Sequence, residues 1–93
     1  MYRTETVNRW VVEKHIELDA ASKAEYHING IDPDNHWTLQ CSFENLDAAV
    51  SQLSFFRETH AKICKRFGNK ETQSYRIRDL GEAMTFEVQG GLF

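Results

Sequence analysis

The sequence predicts an α+β fold, a two-layer sandwich in which one long amphipathic helix covers one face of a mostly antiparallel sheet, in the order β-β-β-α-β-β. Before residue 45 and again after residue 74, apolar and polar residues alternate, which is the period of strands with one buried face. Between residues 45 and 67 the apolar spacing changes to three and four, the period of a helix. The 93 residues fit one domain, in which residues 90–93 are expected to form a flexible tail.

Three strands are predicted before the helix. The first, residues 10–18, alternates regularly except at Lys14, which falls on the apolar face, as a β-bulge or a sheet edge would permit. The second and weaker strand is residues 24–31, and the turn-forming run 30–35 is interpreted as a hairpin connection. The third, residues 36–44, is the clearest, and on one face it carries Trp37, Leu39, Cys41 and Phe43.

The helix is predicted to begin after Asn45 and to end near Phe67. The side-chain oxygen of Asn45 can accept a hydrogen bond from an early helical N–H, and Asp47 adds a favourable negative charge in the first turn. Gly68 suits the left-handed residue that closes a helix. The buried stripe is expected to comprise Leu46, Ala49, Val50, Leu53, Phe56, His60, Ile63, Cys64 and Phe67.

Two further strands are predicted after the helix. They are placed at residues 74–78 and 84–89, with a turn at residues 79–82 between them. The face of the sheet away from the helix is expected to be polar, as antiparallel sheets permit. The core is expected to be dominated by Trp10, Trp37, Phe43, Phe56, Phe67 and Phe86.

Composition limits the environment and the class of protein. The net charge of −3 divides into −5 for residues 1–56, +5 for residues 57–78 and −3 for residues 79–93. The sequence shows neither a run of ~18 apolar residues nor the apolar core of a signal peptide, so we expect a cytoplasmic protein without membrane contact. Cys41 and Cys64 form no C-x-x-C pair and are expected to be reduced thiols in the core.

The sequence favours a protein that is not an enzyme and that uses no metal or cofactor. Common nucleotide-binding and hydrolase signatures are absent, and a chain this small builds a deep active site only with difficulty. His15, His27 and His36 fall on outward strand positions, which does not indicate three converging metal ligands. His60 is expected to be partly buried and hydrogen-bonded. A small enzyme using a cross-strand pair such as His27 with Glu13 stays as the third alternative.

One side of the predicted helix is a candidate protein-binding surface. Phe55 lies roughly opposite the centre of the buried stripe and is therefore expected to be exposed. Thr59, Lys62 and Arg66 flank it, and an aromatic ring among basic side chains is typical of interface anchors. We therefore predict that Phe55, Thr59, Lys62 and Arg66 contact a partner protein.

The basic segment of residues 62–78 indicates a second candidate surface. Its cations could neutralise phosphates, which makes a small nucleic-acid-binding module the alternative function. The acidic overall charge and the favourable effect of cations near a helix C-terminus argue for a structural role instead. The residues singled out for direct nucleic-acid contact are Lys65, Lys70, Arg76 and Arg78.

In its arrangement of strands and hydrophobic residues, the chain resembles small accessory proteins of bacteriophages and prophages. The resemblance rests on Trp10, on Trp37, on the run CSFENLDAAV at residues 41–50 and on YRIRDLG at residues 75–81. It covers most of the chain without a diagnostic motif. The resemblance implies a non-enzymatic protein that docks on a host protein or nucleoprotein complex, as anti-CRISPR proteins do.

The leading expectation is therefore a protein-protein interaction module that inhibits a host complex by steric occlusion. Either the helix surface around Phe55 or the polar sheet face could be the binding surface. A homodimer formed through exposed edge strands is compatible with each of these functions.

Overall fold

The computed structural model describes residues 2–89, which contain five strands and two helices. The α+β class and the single long helix are as predicted, and the expected tail at residues 90–93 lies outside the described residues. The elements in chain order are β1 (Tyr2–Val7), β2 (Trp10–Ile16), α1 (Ala20–Ile28), a 3-10 turn (Pro33–Asn35), β3 (Thr38–Phe43), α2 (Leu46–Phe67), β4 (Gln73–Asp79) and β5 (Met84–Gln89).

The strands form two antiparallel sheets. β2 is the central strand of a three-stranded sheet with the order β3-β2-β4, whereas β1 pairs with β5 in a two-stranded ribbon. Helix α2 packs on one face of the three-stranded sheet and contacts all three strands, β4 more than the other two, which gives the predicted two layers. The buried residues of the described chain are Val11, Val12, Glu13, Pro33, Ala49, Cys64 and Tyr75.

Both predicted ends of α2 are confirmed. Asn45 Oδ1 accepts a hydrogen bond from the Ala48 N–H at 2.8 Å, and Asp47 lies in the first turn. Gly68 closes the helix at φ 67°, a left-handed conformation that a side chain would disfavour. Local sequence thus sets both ends of this helix, and α2 is the scaffold for the exposed residues described below.

The buried stripe predicted for α2 is partly wrong, because the sheet is too small to cover it. Strands of six or seven residues extend for roughly 20–24 Å, whereas the 22 residues of α2 extend for about 33 Å. The three-stranded sheet is also only roughly 10 Å wide between its outer strands. As a result, four apolar residues expected in the core are exposed: Leu46, Val50, Ile63 and Phe67.

The strand predicted at residues 24–31 is wrong, because this segment lies largely in helix α1. Asp19 is the N-cap of α1, and its Oδ1 atom accepts a hydrogen bond from the Ser22 N–H at 2.8 Å. The run AASKAE that follows consists mainly of good helix formers. The predicted hairpin turn is consequently the connection from α1 to β3, where Gly30 has φ 75° and Asp32 caps the 3-10 turn.

A β-bulge in β3 changes which side chains face the helix. Cys41 lies opposite Val12, but Leu39 rather than Gln40 lies opposite Glu13, so Gln40 is the extra residue. A shift of one residue moves the side chains that follow to the other face of a sheet. The single apolar face predicted for this strand is therefore wrong, since Cys41 shares the α2 face with Val12, whereas Leu39 and Trp37 lie on the opposite face.

The face of the sheet opposite α2 is less solvated than the sequence predicts. The alternation in residues 10–18 places Val11 and Glu13 on the side of the strand away from the predicted core, but both are buried. Trp37, expected in the core, contributes to this opposite face. Of the other aromatic residues expected in the core, Phe86 is exposed, as is Phe67.

The chain is more extended than a compact protein of its mass. Its accessible surface is 7057 Å², whereas a folded monomer of this mass exposes about 5,500 Å². Its Cα radius of gyration is 16.1 Å, whereas about 12 Å is usual for this length. Part of this extended shape comes from the β1–β5 ribbon. Within residues 2–89, the two strands of the ribbon contact each other extensively but make few contacts with the other elements.

Candidate interaction surface

The outer side of α2 presents the four residues predicted to bind a partner. Phe55, Thr59, Lys62 and Arg66 are all exposed, and Phe55 exposes 59% of its surface. Its ring centroid lies 6.3 Å from that of Phe56, which is half-buried. The expected exposure of Phe55 is therefore confirmed.

Two further apolar residues, which the sequence assigned to the core, extend this surface. Ile63 exposes 52% of its surface and Phe67 exposes 66%. Residues four positions apart on a helix form a row that winds around its axis by about 40° at each step. Phe55, Thr59, Ile63 and Phe67 have that spacing over about 18 Å, so Phe67 lies roughly 120° around the axis from Phe55. We call the six residues Phe55, Thr59, Lys62, Ile63, Arg66 and Phe67 the Phe55 surface.

The Phe55 surface is apolar along this row and positively charged beside it. The Arg66 guanidinium lies 5.7 Å from the centroid of the Phe67 ring, which is within range of a cation-π contact. Lys62 and Arg66 form no ion pair with another residue among those described. A partner with an apolar groove bordered by carboxylates would complement this surface.

Aromatic stacking and a hydrogen bond join α2 to β4. The Phe56 and Tyr75 rings are stacked, with centroids 5.2 Å apart and an interplanar angle of 15°. Arg57 Nη2 donates a hydrogen bond to the Tyr75 carbonyl oxygen at 3.0 Å, which satisfies an acceptor on the outer edge of β4. Burial raises the pKa of the Tyr75 hydroxyl.

His60 joins α2 to the start of β4. Its Nε2 atom accepts hydrogen bonds from the backbone N–H groups of Thr72 at 3.1 Å and Gln73 at 3.2 Å. The Cys64 sulfur lies 3.5 Å from the same nitrogen. This confirms the prediction of a half-buried, hydrogen-bonded histidine.

The opposite face of the sheet carries a compact charged and aromatic cluster. The carboxylate of Glu13, which has only 7% of its surface exposed, accepts a hydrogen bond from Arg76 Nε at 2.9 Å, and Arg78 Nη1 lies 3.8 Å from it. The Arg76 guanidinium lies 4.1 Å from the Trp37 ring centroid, and the His15 ring lies 5.3 Å from it. The polar face therefore presents cations that already have partners within the chain.

The residues proposed for nucleic-acid contact do not share one surface. Arg76 and Arg78 lie on the sheet face opposite α2, whereas Lys65 lies on α2 itself. Lys70 Nζ lies 3.2 Å from a carboxylate oxygen of Glu17. The structure therefore does not bring the basic segment together as a continuous phosphate-binding stripe.

The remaining titratable side chains are dispersed. His15 lies in β2 with its Nδ1 atom 2.9 Å from the His36 carbonyl oxygen, and His27 lies in α1 rather than in a strand. Within residues 2–89, no three His, Cys, Asp or Glu side chains are grouped as metal ligands would be. Cys41 and Cys64 are free thiols, and burial raises the pKa of Cys41.

An open cleft of about 450 Å³ lies between α2 and the outer edge of β4. The cationic side chain that lines this cleft is Arg57, and it already donates a hydrogen bond to the Tyr75 carbonyl oxygen. The lining residues are Arg57, Glu58, Ala61, Glu71, Gln73, Ser74 and Tyr75.

The sequence reasoning missed two parts of the exposed apolar surface. Ile63 and Phe67 fall in the helical stripe that was assigned to the core, and no signal in the spacing separates them from it, because their exposure depends on how far the sheet extends beneath α2. The ribbon face formed by Val7, Met84 and Phe86 was also missed, since β1 was not predicted as a strand.

Comparisons with protein-family models, with curated proteins and with solved structures find no match for this chain. Neither α1 nor α2, the helices of the described segment, combines the length and the apolar character needed to cross a bilayer.

Proposed function

We propose that the chain is a non-enzymatic protein-protein interaction module that binds its partner through the Phe55 surface. The observation that carries this proposal is the exposure of three large apolar side chains, those of Phe55, Ile63 and Phe67, along one row of a helix that is held to the sheet through Phe56 and Tyr75. Large apolar side chains grouped on a surface are typical of interaction sites. Because the helix is already formed, it also presents them without the entropy cost of ordering the backbone on binding.

The proposed partner is a host protein or nucleoprotein complex, and the proposed mechanism is steric occlusion. In this narrower form the chain is a phage-type inhibitor of the anti-CRISPR kind that acts in the cytoplasm. The charges beside this row support a partner with acidic residues around an apolar groove, because Lys62 and Arg66 would meet opposite charges there. Docking of this kind requires neither a cofactor nor a catalytic group.

Affinity capture from a bacterial lysate, with and without nuclease, tests the proposal. We expect a protein partner that survives nuclease treatment and whose capture is lost with the Phe55→Ala variant. Recovery of nucleic acid alone would overturn the proposal in favour of a module that binds through its basic residues. Ile28→Ala, which shortens another exposed apolar side chain on α1, is the matched control and should not change capture.

The same variants separate a binding role from a packing role. Because Phe55 is largely exposed, Phe55→Ala should change the free energy of unfolding by no more than about 0.5 kcal/mol. Its affinity for the captured partner should fall by about tenfold or more, as for an aromatic anchor of an interface. A large decrease in thermal stability, or unchanged affinity measured by calorimetry, would contradict the proposal.

A further inference from the structure

The outer edge of β4 is a row of backbone groups that point away from the sheet. Within residues 2–89, β4 pairs with β2 alone. The Glu17 N–H donates to the Thr72 carbonyl oxygen and the Leu80 N–H donates to the Arg9 carbonyl oxygen, which fixes the alternation of hydrogen-bonded pairs between the two strands. The residues whose N–H and C=O groups consequently face outward are Gln73, Tyr75, Ile77 and Asp79.

Side chains of α2 engage this edge only at its start. His60 Nε2 accepts from the Gln73 N–H at 3.2 Å, and Arg57 Nη2 donates to the Tyr75 carbonyl oxygen at 3.0 Å. Within residues 2–89, the Ile77 N–H and C=O groups and the Tyr75 N–H have no hydrogen-bond partner. An unpaired strand edge is a template for another extended backbone. The ligand that complements this edge is therefore an extended peptide.

The open cleft between α2 and β4 lies beside the start of the same edge. Its volume is about 450 Å³, within the ~300–1,000 Å³ that is usual for ligand sites. Glu58 and Glu71 line it, and neither forms an ion pair with another residue of the described chain. Their two carboxylates outnumber the one guanidinium, that of Arg57. A lysine or arginine side chain could lay its apolar stem on Ala61 and place its charge near these carboxylates.

We propose that an extended segment of a partner protein, carrying a lysine or an arginine, adds to β4 as a fourth strand of the sheet. Main-chain hydrogen bonds to Ile77 hold the segment, and the cleft selects its basic side chain. This inference goes beyond the proposed function, because the cleft and the Phe55 surface are formed by different residues of α2.

Residues 90–93 do not supply this segment. They follow Gln89, which pairs with Tyr2 at the end of the ribbon away from β4. The ribbon is about 17 Å long from Met84 to Gln89 and makes few contacts with the other elements. Four residues extend at most about 14 Å in any conformation. The reach of residues 90–93 from Gln89 is therefore too short to pair with Ile77.

Charge disfavours a second copy of the chain at this edge. Antiparallel pairing of two β4 strands about Ile77 would place residues 79–82 of one copy beside residues 72–75 of the other. The run DLGE at residues 79–82 carries two carboxylates and no cation. These carboxylates would approach Glu58 and Glu71, which line the cleft beside residues 73–75. A basic segment from another protein meets no such repulsion.

Amide hydrogen exchange of the full chain, measured by NMR, tests the proposal at single residues. The probe is a blocked hexapeptide of alternating valine and lysine. In the free protein the outward Ile77 N–H should exchange rapidly, whereas the N–H groups of Arg76 and Arg78, which face β2, should be protected. With a dissociation constant of about 100 µM, about 1 mM peptide should slow exchange at Ile77 roughly tenfold. Unchanged exchange at Ile77 would overturn the proposal.

Two altered peptides separate strand addition from attraction by charge alone. N-methylation of every backbone nitrogen removes the peptide's donors and should abolish the protection of Ile77. Replacement of each lysine by glutamate keeps the backbone and should weaken binding at least tenfold. An equal effect of the N-methylated peptide would rule out strand addition, and an equal effect of the glutamate peptide would rule out a basic ligand.

Variants of the chain locate the basic side chain of the peptide. Glu58→Gln removes one carboxylate of the cleft and should weaken peptide binding about threefold, as for an exposed ion pair. Glu25→Gln removes the same charge from the exposed surface of α1 and should leave binding unchanged. Equal weakening by the two variants would contradict the proposed site. Phe55→Ala should leave the protection of Ile77 unchanged, so failure of this inference can be distinguished from failure of the proposed function.

Discussion

The carboxylate of Glu13 lies in the middle of the central strand, beneath the arginines of β4. Arg76 donates to it at 2.9 Å, whereas Arg78 is 3.8 Å away and more exposed. Removing one partner from a buried ion pair is costly, because the remaining charge loses its compensation. An exposed pair with a longer separation contributes little. The two arginines on the same strand should therefore contribute very differently to stability.

Arg76→Ala should lower the free energy of unfolding by about 2 kcal/mol, because the loss of this half-exposed guanidinium leaves the buried Glu13 carboxylate without its closest hydrogen-bond donor. Arg78→Ala removes the same charge from the same strand face and should cost less than about 0.5 kcal/mol. Urea denaturation of both variants measures the difference. Equal losses for the two would contradict this account of Glu13.

A second residue-scale prediction concerns His60, whose Nε2 atom accepts two backbone hydrogen bonds. His60→Ala should lower the free energy of unfolding by about 1–3 kcal/mol, because the N–H groups of Thr72 and Gln73 lose their acceptor. His60→Gln places an amide oxygen at a similar distance along the side chain and should recover much of the loss. If urea denaturation shows both variants to be equally unstable, the hydrogen bonds are not the reason for the effect.

At the scale of elements, one carboxylate organises the junction between the three-stranded sheet and the ribbon. Asp79 at the end of β4 accepts two hydrogen bonds from Arg9, at 2.7 and 2.9 Å, and one from the Gly81 N–H at 2.8 Å. The Leu80 N–H donates to the Arg9 carbonyl oxygen. These bonds fix the two chain segments where β1 leads into β2 and β4 leads out toward β5.

This junction should depend on pH in acid. The hydrogen bonds from Arg9 and from the Gly81 N–H lower the pKa of Asp79 from 3.8 to about 2. Because its folded pKa is depressed, Asp79 stabilises the native state fully above about pH 4, and this stabilisation is lost as the pH falls toward 2. Carbon-detected NMR titration of the carboxyl group measures that pKa, and a value near 4 would contradict the proposed hydrogen bonds. Asp79→Asn should reduce the change in stability over the same pH interval.

The sequence was sufficient for elements whose signals are local. Asn45 and Gly68 bracket α2, and the alternation around Tyr75 locates β4. The sequence was insufficient where the same residues fit both the helix and the strand period. It was also insufficient where the register between two strands decides which face a side chain occupies. The spacing of Tyr26 and Ile28 fits a strand, although the cap at Asp19 and the alanines after it favour the observed helix. The bulge at Gln40 depends on register with β2, which alternation within one strand cannot show.

At the scale of the whole molecule, the core is small, so many apolar residues of the sequence are not buried in it. The helix overhangs its sheet and the ribbon projects beyond it, so apolar residues that alternation or helical spacing assigns to a core remain on the surface. For the candidate site, the sequence identified the exposed Phe55 correctly but missed Ile63 and Phe67, because burial depends on how far the sheet extends beneath the helix.

The pairing of β1 with β5 also has a consequence for the order of folding. This ribbon joins residue 2 to residue 89, so it closes the longest loop of the described chain, and its closure entropy is the largest of any strand pair. During synthesis, β1 emerges several seconds before β5 at about 5–20 residues per second. Helix α2 can form and β2 can pair with β3 in that interval, while β1 stays unpaired until β5 has been made. Newly made chains are therefore most vulnerable to wrong strand pairing at this stage, before their first and last strands have met.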